Sequence, residues 1–234
     1  MIVHMDKAKL ILPVSILAAA VLISGSFIYT ASKKDSAGGN ADAGALEANM
    51  LKNVKPVTQS DHVRGATNPK IVVVEYSDTE CPFCKVFHAA MQRIVSEYPN
   101  DVAWVYRHFP LAQLHPKAFK ESVATECAAA LGGNEMFWTY TDRLLEVTPS
   151  NNGLDPAELP NIAEYVGLDR EEFTTCLAKG DHDEKIQAHI NEAIDVGARG
   201  TPFSVIIAGN DRIPVPGALP YESMKEAVET LLEK

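Results

Sequence analysis

The sequence predicts an α/β fold in which a strand–helix–strand unit is followed by a long all-helical interruption and then by a hairpin and a last helix. Three observations predict it. The run Ile71-Val72-Val73-Val74-Glu75-Tyr76 is short, β-branched and almost wholly apolar, which suits a strand buried on both faces. Directly after it the apolar period changes, with Cys84, Phe87, Met91, Ile94 and Tyr98 recurring at spacings of three and four, one face of a helix. Between about 116 and 196 no convincing strand occurs, whereas strands flank that block on both sides.

The chain has 234 residues, 46% of them hydrophobic, enough for one large domain or two small ones with an ordinary core. Its formal charge is −10, and the first 35 residues hold four lysines against two aspartates, so the remainder is more acidic still. An acidic surface makes nucleic acid an unsuitable partner. Four cysteines are too few for a disulfide-built scaffold, so their placement is the informative feature.

Residues Leu10 to Thr30 carry no charged side chain and are flanked by Lys7 and Lys9 before and by Lys33 and Lys34 after. About 20 apolar residues span a bilayer, so residues 1–31 are expected to form a retained transmembrane anchor. A cleaved signal peptide is the other reading, with Ser24-Gly25-Ser26 as its cleavage site. Residues 32–60, rich in Ala, Gly, Asp, Ser and Asn, read as a flexible tether, and ordered structure is expected over 61–234.

Asn68-Pro69 turns the chain into the central strand, and Val102 to Phe109 reads as a second strand closed by Pro110. Strand, helix and strand imply a parallel pair. The helical block, about 116–196, divides at its punctuation. One helix runs from Pro116 to a stop at Gly132-Gly133, a second from Asn134 to Glu146, and a third is capped by Asp155-Pro156 and closed by Gly167. Asp169 and Asp181 read as further N-caps. Thr201 to Ile207 and Ile213 to Val215 then form a hairpin about Gly209-Asn210-Asp211, and Tyr221, Met224, Val228 and Leu231 mark a closing amphipathic helix.

The chemistry centres on Cys81-Pro82-Phe83-Cys84. Pro82 suits the first helical position, which makes Cys81 the N-cap. Its sulfur then meets unpaired backbone donors and the positive end of the helix dipole, both of which favour the reactive thiolate. Cys84, one turn on, faces inward as the shielded partner.

A CxxC at a strand-to-helix junction, with Gly200-Thr201-Pro202 far downstream at the entry to a hairpin, resembles the thioredoxin superfamily. The helical interruption makes it similar to the DsbA-like branch, a thioredoxin-like fold with an inserted all-helical domain. The resemblance covers about 61–234 and includes Arg107-His108-Phe109-Pro110-Leu111 followed by His115-Pro116. It implies that Cys81 is the exposed nucleophile and Cys84 the resolving thiol. It implies that Thr201-Pro202 is a cis-proline loop offering backbone groups to an extended substrate. It also implies that Glu75 lies beneath the cysteine pair and relays protons. Pro82-Phe83 differs from the Gly-Pro of reducing thioredoxins and the Pro-His of the best-known oxidases, and these two residues tune the potential.

Plainer readings stand beside these. CxxC could be half a zinc site or a structural bridge, but neither a second CxxC nor clustered histidines complete a metal site. Cys127 and Cys176, in separate helical segments, are expected to pair as a structural disulfide, with two free buried thiols as the alternative. If paired, they place the domain outside the cytoplasm. His88 is expected to be solvated, His115 to cap or pack within the insertion, and Met136, Phe137, Trp138 and Tyr140 to be core.

The expected function is an extracytoplasmic thiol-disulfide oxidoreductase, membrane-anchored or secreted after cleavage, that introduces disulfides into exported proteins. Its partners are cysteine-containing exported substrates and a membrane redox protein that recycles the pair, and no cofactor or metal is required. Alternatives are a disulfide reductase or isomerase, or a redox-inactive peptide-binding or chaperone module.

Overall fold

The computed structural model describes residues 49–234. A 3₁₀ turn, Leu51–Asn53, leads to β1 (His62–Gly65), β2 (Ile71–Ser77), α1 (Pro82–Glu97) and β3 (Val102–His108). The helices α2 (Ala118–Val147), α3 (Glu158–Tyr165), α4 (Arg170–Lys179) and α5 (Asp183–Asp195) follow, then β4 (Phe203–Ala208), β5 (Asp211–Pro216) and α6 (Tyr221–Leu232). The strands form one mixed sheet in the order β1-β3-β2-β4-β5. β2 and β3 are parallel, with Ile71 opposite Val102 and Ser77 opposite His108, as strand–helix–strand predicts. The hairpin β4–β5 joins β2 antiparallel through β4, and β1 covers the far edge of β3. β1 is four residues long, too short for its alternation to show in the sequence.

The period of two along the strands sorts side chains to two apolar clusters. Ile71, Val73, Trp104, Tyr106 and Ile206 pack with Phe87, Met91 and Ile94 of α1 and Met224 and Val228 of α6. Val74, Tyr76, Val105 and Val205 belong to the other cluster with Ala193 and Val196 at the end of α5. A third cluster lies within the helical block, around Ala124, Tyr140, Leu144, Ile162 and Phe173. Phe137 and Trp138 are buried against the first cluster and Tyr140 in the third, so these aromatics are core.

The glycine pair that predicts a helix end does interrupt α2, at Gly133 with φ 73° and ψ −167°, but the helix resumes at once. Asp169 caps α4, its carboxylate accepting from Glu172 N, and Gly180 ends that helix in the left-handed region. Asp181 caps nothing, because α5 starts two residues later with His182 at the N-cap position. Asp155, expected at the N-cap, lies two residues before it: its carboxylate accepts from Ala157 N and its carbonyl from Glu158 N, and the helix α3 begins at Glu158.

The tether expected over 32–60 ends before Asp61. Leu51 and Val54 are buried in the cluster of Ala193 and Val196, and Lys55 N donates to Glu192 Oε1 at 2.8 Å. Two apolar side chains in an otherwise polar stretch dock there because α5 leaves an apolar seam open. The anchor or signal segment expected over 1–31 lies outside the described residues. Among the described residues no helix is long and apolar enough to cross a membrane.

Candidate functional site: a thiol pair at a helix start

Where β2 ends, Asp78 folds the chain back. Its carbonyl accepts from Cys81 N at 3.2 Å and its Oδ1 from Glu80 N at 2.8 Å, a local aspartate turn. Its Oδ2 accepts from Leu111 N at 2.7 Å and lies 3.0 Å from His115 Nδ1, so one buried carboxylate ties the turn to the segment after β3. This turn delivers Cys81 to the N-cap of α1 with φ −78° and ψ 121° and Pro82 in the first turn. The inward face of α1 then buries Cys84 completely, its sulfur accepting from Asp78 N at 3.4 Å. Cys81, implied by the resemblance to be exposed, is a correction: it is buried, 5% exposed, because the Thr201 loop packs on it with Thr201 O 3.4 Å from Sγ.

The two thiols differ in their hold on a proton. A hydrogen bond from Cys84 to Cys81, then the Cys84 and Phe83 amides and the Thr201 hydroxyl, outweigh burial and bring Cys81 down to about 6. Burial, and after it the neighbouring Cys81 and Glu75 charges, push Cys84 well above the ordinary thiol value. At neutral pH the reduced pair therefore carries a thiolate on the outer sulfur and a proton on the inner one.

Glu75 is fully buried on the sheet face that carries α1. Burial raises it to about 7 against the nearby Ser77 hydroxyl and the hydrogen bond from Trp104, and the Cys81 charge adds to the rise. It pairs across the strands with Tyr106 and Ser204. The hydroxyls of Ser77, Tyr106 and Ser204 are buried, so a polar patch sits beneath the thiols inside an apolar layer.

The Thr201–Pro202 peptide is cis. Arg199, Gly200, Thr201, Pro202, Pro216 and Gly217 line a groove of about 370 Å³ at that loop. Phe83, between the cysteines, is 64% exposed. Cys127 and Cys176 are joined by a disulfide, S–S 2.06 Å, between α2 and α4. With His182 they are a set of potential metal ligands within 4.8 Å of one another, but both sulfurs are consumed by the bond.

His88 is a correction. It is buried rather than solvated, with Nε2 2.7 Å from Asp142 Oδ1, and burial pushes it below the ordinary histidine value. Arg64 holds the same carboxylate through both terminal nitrogens at 3.0 and 2.7 Å. The second half of α2 covers that side of α1, a long-range contact that helical periodicity cannot show. His115 is a second correction: expected to cap or pack within the insertion, it instead lies against Asp78 of the turn that follows β2, because the segment after β3 folds back onto that turn. Asp78 itself went unassigned from sequence, although Asp-Thr-Glu before the first cysteine is an aspartate-turn signal.

A family model described as thioredoxin matches residues 57–230. The chain is 34% identical over 160 residues to a Na(+)/H(+) antiporter NhaA 1 of Mycolicibacterium vanbaalenii, a match covering 65% of this chain and 25% of that protein. The chain thus spans about a quarter of the length of the curated relatives it matches. Among solved structures it is similar to Pseudomonas aeruginosa DsbA2, with TM-score 0.65 and 28% identity over 76% of this chain and 97% of that one. It is also similar to the catalytic domain of Proteus mirabilis ScsC, with TM-score 0.64 and 25% identity over 81% and 97%.

Proposed function

This chain belongs to the thioredoxin family as a DsbA-like thiol-disulfide oxidoreductase, and we propose that it introduces disulfide bonds into exported proteins through Cys81 and Cys84. The observation that carries this reading is the asymmetry of the two thiols, about 6 for Cys81 against a strongly raised Cys84. A stabilised Cys81 thiolate favours the reduced form of the pair, and the more the reduced form is favoured, the stronger the oxidant.

In the oxidised pair, a substrate thiolate attacks Cys81 Sγ and the Cys81–Cys84 bond breaks. Cys84 leaves as a thiolate and takes a proton, which buried Glu75 supplies. A second substrate thiolate attacks the substrate sulfur of the mixed disulfide, and Cys81 leaves as the favoured thiolate. Two electrons pass from substrate to protein, and a membrane redox partner returns the pair to the disulfide. Thr201-Pro202 holds the substrate chain beside Cys81 during both attacks. Pro82 and Phe83 set the potential, Pro82 by fixing the helix start and Phe83 by presenting an exposed ring between the thiols.

The Cys127–Cys176 disulfide supports an extracytoplasmic location, since such bridges persist in oxidising compartments. The apolar run Leu10 to Thr30 supports a membrane tether, and the disulfide is what favours the catalytic domain outside. The deciding experiment equilibrates the pair against glutathione. A potential near about −120 mV supports the oxidase, one near about −270 mV a reductase. A Cys81→Ser protein that keeps its cellular function would instead favour the peptide-binding module.

A further inference from the structure

The residue before the first cysteine ties the exchange site to the helical block. Asn151 N donates to Glu80 O at 2.8 Å, Asn152 N to Glu80 Oε2 at 2.6 Å and Leu154 N to Glu80 Oε1 at 3.3 Å. Those amides belong to a loop in which Ser150, Asn151 and Asn152 have φ of 63°, 53° and 65°. Three successive residues with side chains in the left-handed region persist only where surrounding contacts hold them.

The contacts converge from the cysteine motif and its neighbours. Lys85, next to Cys84, donates to Glu146 O at 3.1 Å and Thr148 O at 2.8 Å, and Lys117 donates to Asn152 O and Leu154 O, both at 2.7 Å. Behind Glu80 lies a second carboxyl, Glu121 of α2, and both are buried. Glu80 and Thr79 are the neighbours that act on the Glu121 carboxyl. As carboxylates, neither could donate to the other, and Glu121 Oε2 then has no hydrogen-bond partner among the described residues. A proton on Glu121, donated to Glu80, satisfies that oxygen and leaves Glu80 charged to accept the loop amides.

We propose that Glu121 is a positioning residue for the exchange site: its protonated carboxyl lets Glu80 clamp the loop Ser150–Leu154 to the turn that ends in Cys81. Loss of its proton to water loosens the clamp. The proposal rests on Cys81 and Cys84 being the exchange pair. The groups facing Glu121 are Asp78, Thr79 and Glu80 from the turn and Tyr140 from the second half of α2, with Lys117 one turn earlier on its own helix. Lys117 is engaged by the loop carbonyls, so two acids and no free cation oppose ionisation. Burial, then the bond to Glu80, raises Glu121 to about 8, within reach of mildly alkaline media.

The test uses the reduced full chain in detergent micelles. Carbon NMR of the Glu121 carboxyl and nitrogen shifts of the Asn152 and Leu154 amides are followed from pH 5 to 10, together with the alkylation rate of Cys81 by iodoacetamide. The carboxyl and the two amides should share a midpoint near 8. The alkylation profile should show a second inflection there, which Glu121→Gln abolishes because glutamine donates to Glu80 at every pH. A Glu121 midpoint in the ordinary carboxylate range, amides that do not move with it, or an inflection that survives in Glu121→Gln would each overturn the proposal. If Glu121→Gln does not fold, the shared midpoint in the unaltered chain decides alone. None of these readouts needs turnover, so a chain that titrates in this way but exchanges no disulfide would sink the exchange reading and leave the clamp standing.

Discussion

Trp104 Nε1 donates to Glu75 Oε2 at 2.8 Å inside the sheet face that carries the redox helix. This hydrogen bond opposes the rise that burial imposes on Glu75. Replacing Trp104 with Phe should therefore lift the Glu75 midpoint further above about 7. Glu75→Gln should slow formation of the mixed disulfide, the step in which Cys84 leaves, by roughly 10²-fold, the low end of what a positioned proton carrier contributes. Stopped-flow measurement of that step from pH 6 to 8 checks both, and an unchanged rate in Glu75→Gln would remove it from the proton path.

The Cys81 thiolate should appear in ultraviolet titration of the reduced protein with a midpoint near about 6. Because the bond from Cys84 is the largest cause, Cys84→Ala, which removes that donor, should move the midpoint upward. An unmoved midpoint would assign the whole effect to the helix start.

Stability should respond to pH from both sides. Glu75 and Glu121 are raised, to about 7 and about 8, so what they contribute is complete below the unfolded carboxyl value and is lost as pH rises through the folded values. Burial opposes but hydrogen bonds overcome it at Glu126, held low by His108 and His62, and at Asp142, held low by His88 and Arg64. Their contribution is present above the unfolded value and lost as pH falls. Compared with the unaltered chain, the urea midpoint of Glu75→Gln should thus fall less, or rise more, between pH 5 and 7, and that of Glu126→Gln should fall less steeply in acid.

The bridge from Cys127 to Cys176 closes a loop of sequence separation 49. On chain-entropy grounds its loss should cost about 4 kcal/mol. Denaturation of the Cys127→Ala, Cys176→Ala double variant measures this, and its Cys81 titration should stay in place, since the bridge lies in the helical block.

Arg107, 1% exposed, binds Asp61 Oδ1 through Nε at 2.9 Å and Glu192 Oε1 through a terminal nitrogen, and donates to Lys55 O at 3.2 Å. Arg107→Ala leaves two buried carboxylates unpaired and should cost about 3–5 kcal/mol. The segment Val54–Asp61 should become accessible to limited proteolysis, and Arg107→Lys, a single point charge in place of a fork, should not restore it.

Much of this was legible because the signals are local. The order of β2, α1 and β3, the N-cap place of Cys81 and the inward place of Cys84 follow from periods of two and 3.6 and from one proline. The break at Gly133 and the cap at Asp169 are also local, since each depends on a single residue's backbone freedom or hydrogen bonding. The burial of His88, the docking of Leu51 and Val54, and the grip of Glu80 on the loop at 151–154 were not legible. Each depends on a residue more than 50 positions away.

The sequence by itself thus determined where the thiols sit and what the helix start does to the first of them, because short-range backbone geometry decides those things, whereas the burial of Cys81 came from the distant Thr201 loop. Only the tertiary structure decided how far each proton is held. Burial of Glu75, Cys84 and Glu121 is set by strands and helices that meet from distant parts of the chain, and desolvation by those elements is what separates the proton affinities around Cys81 and Cys84.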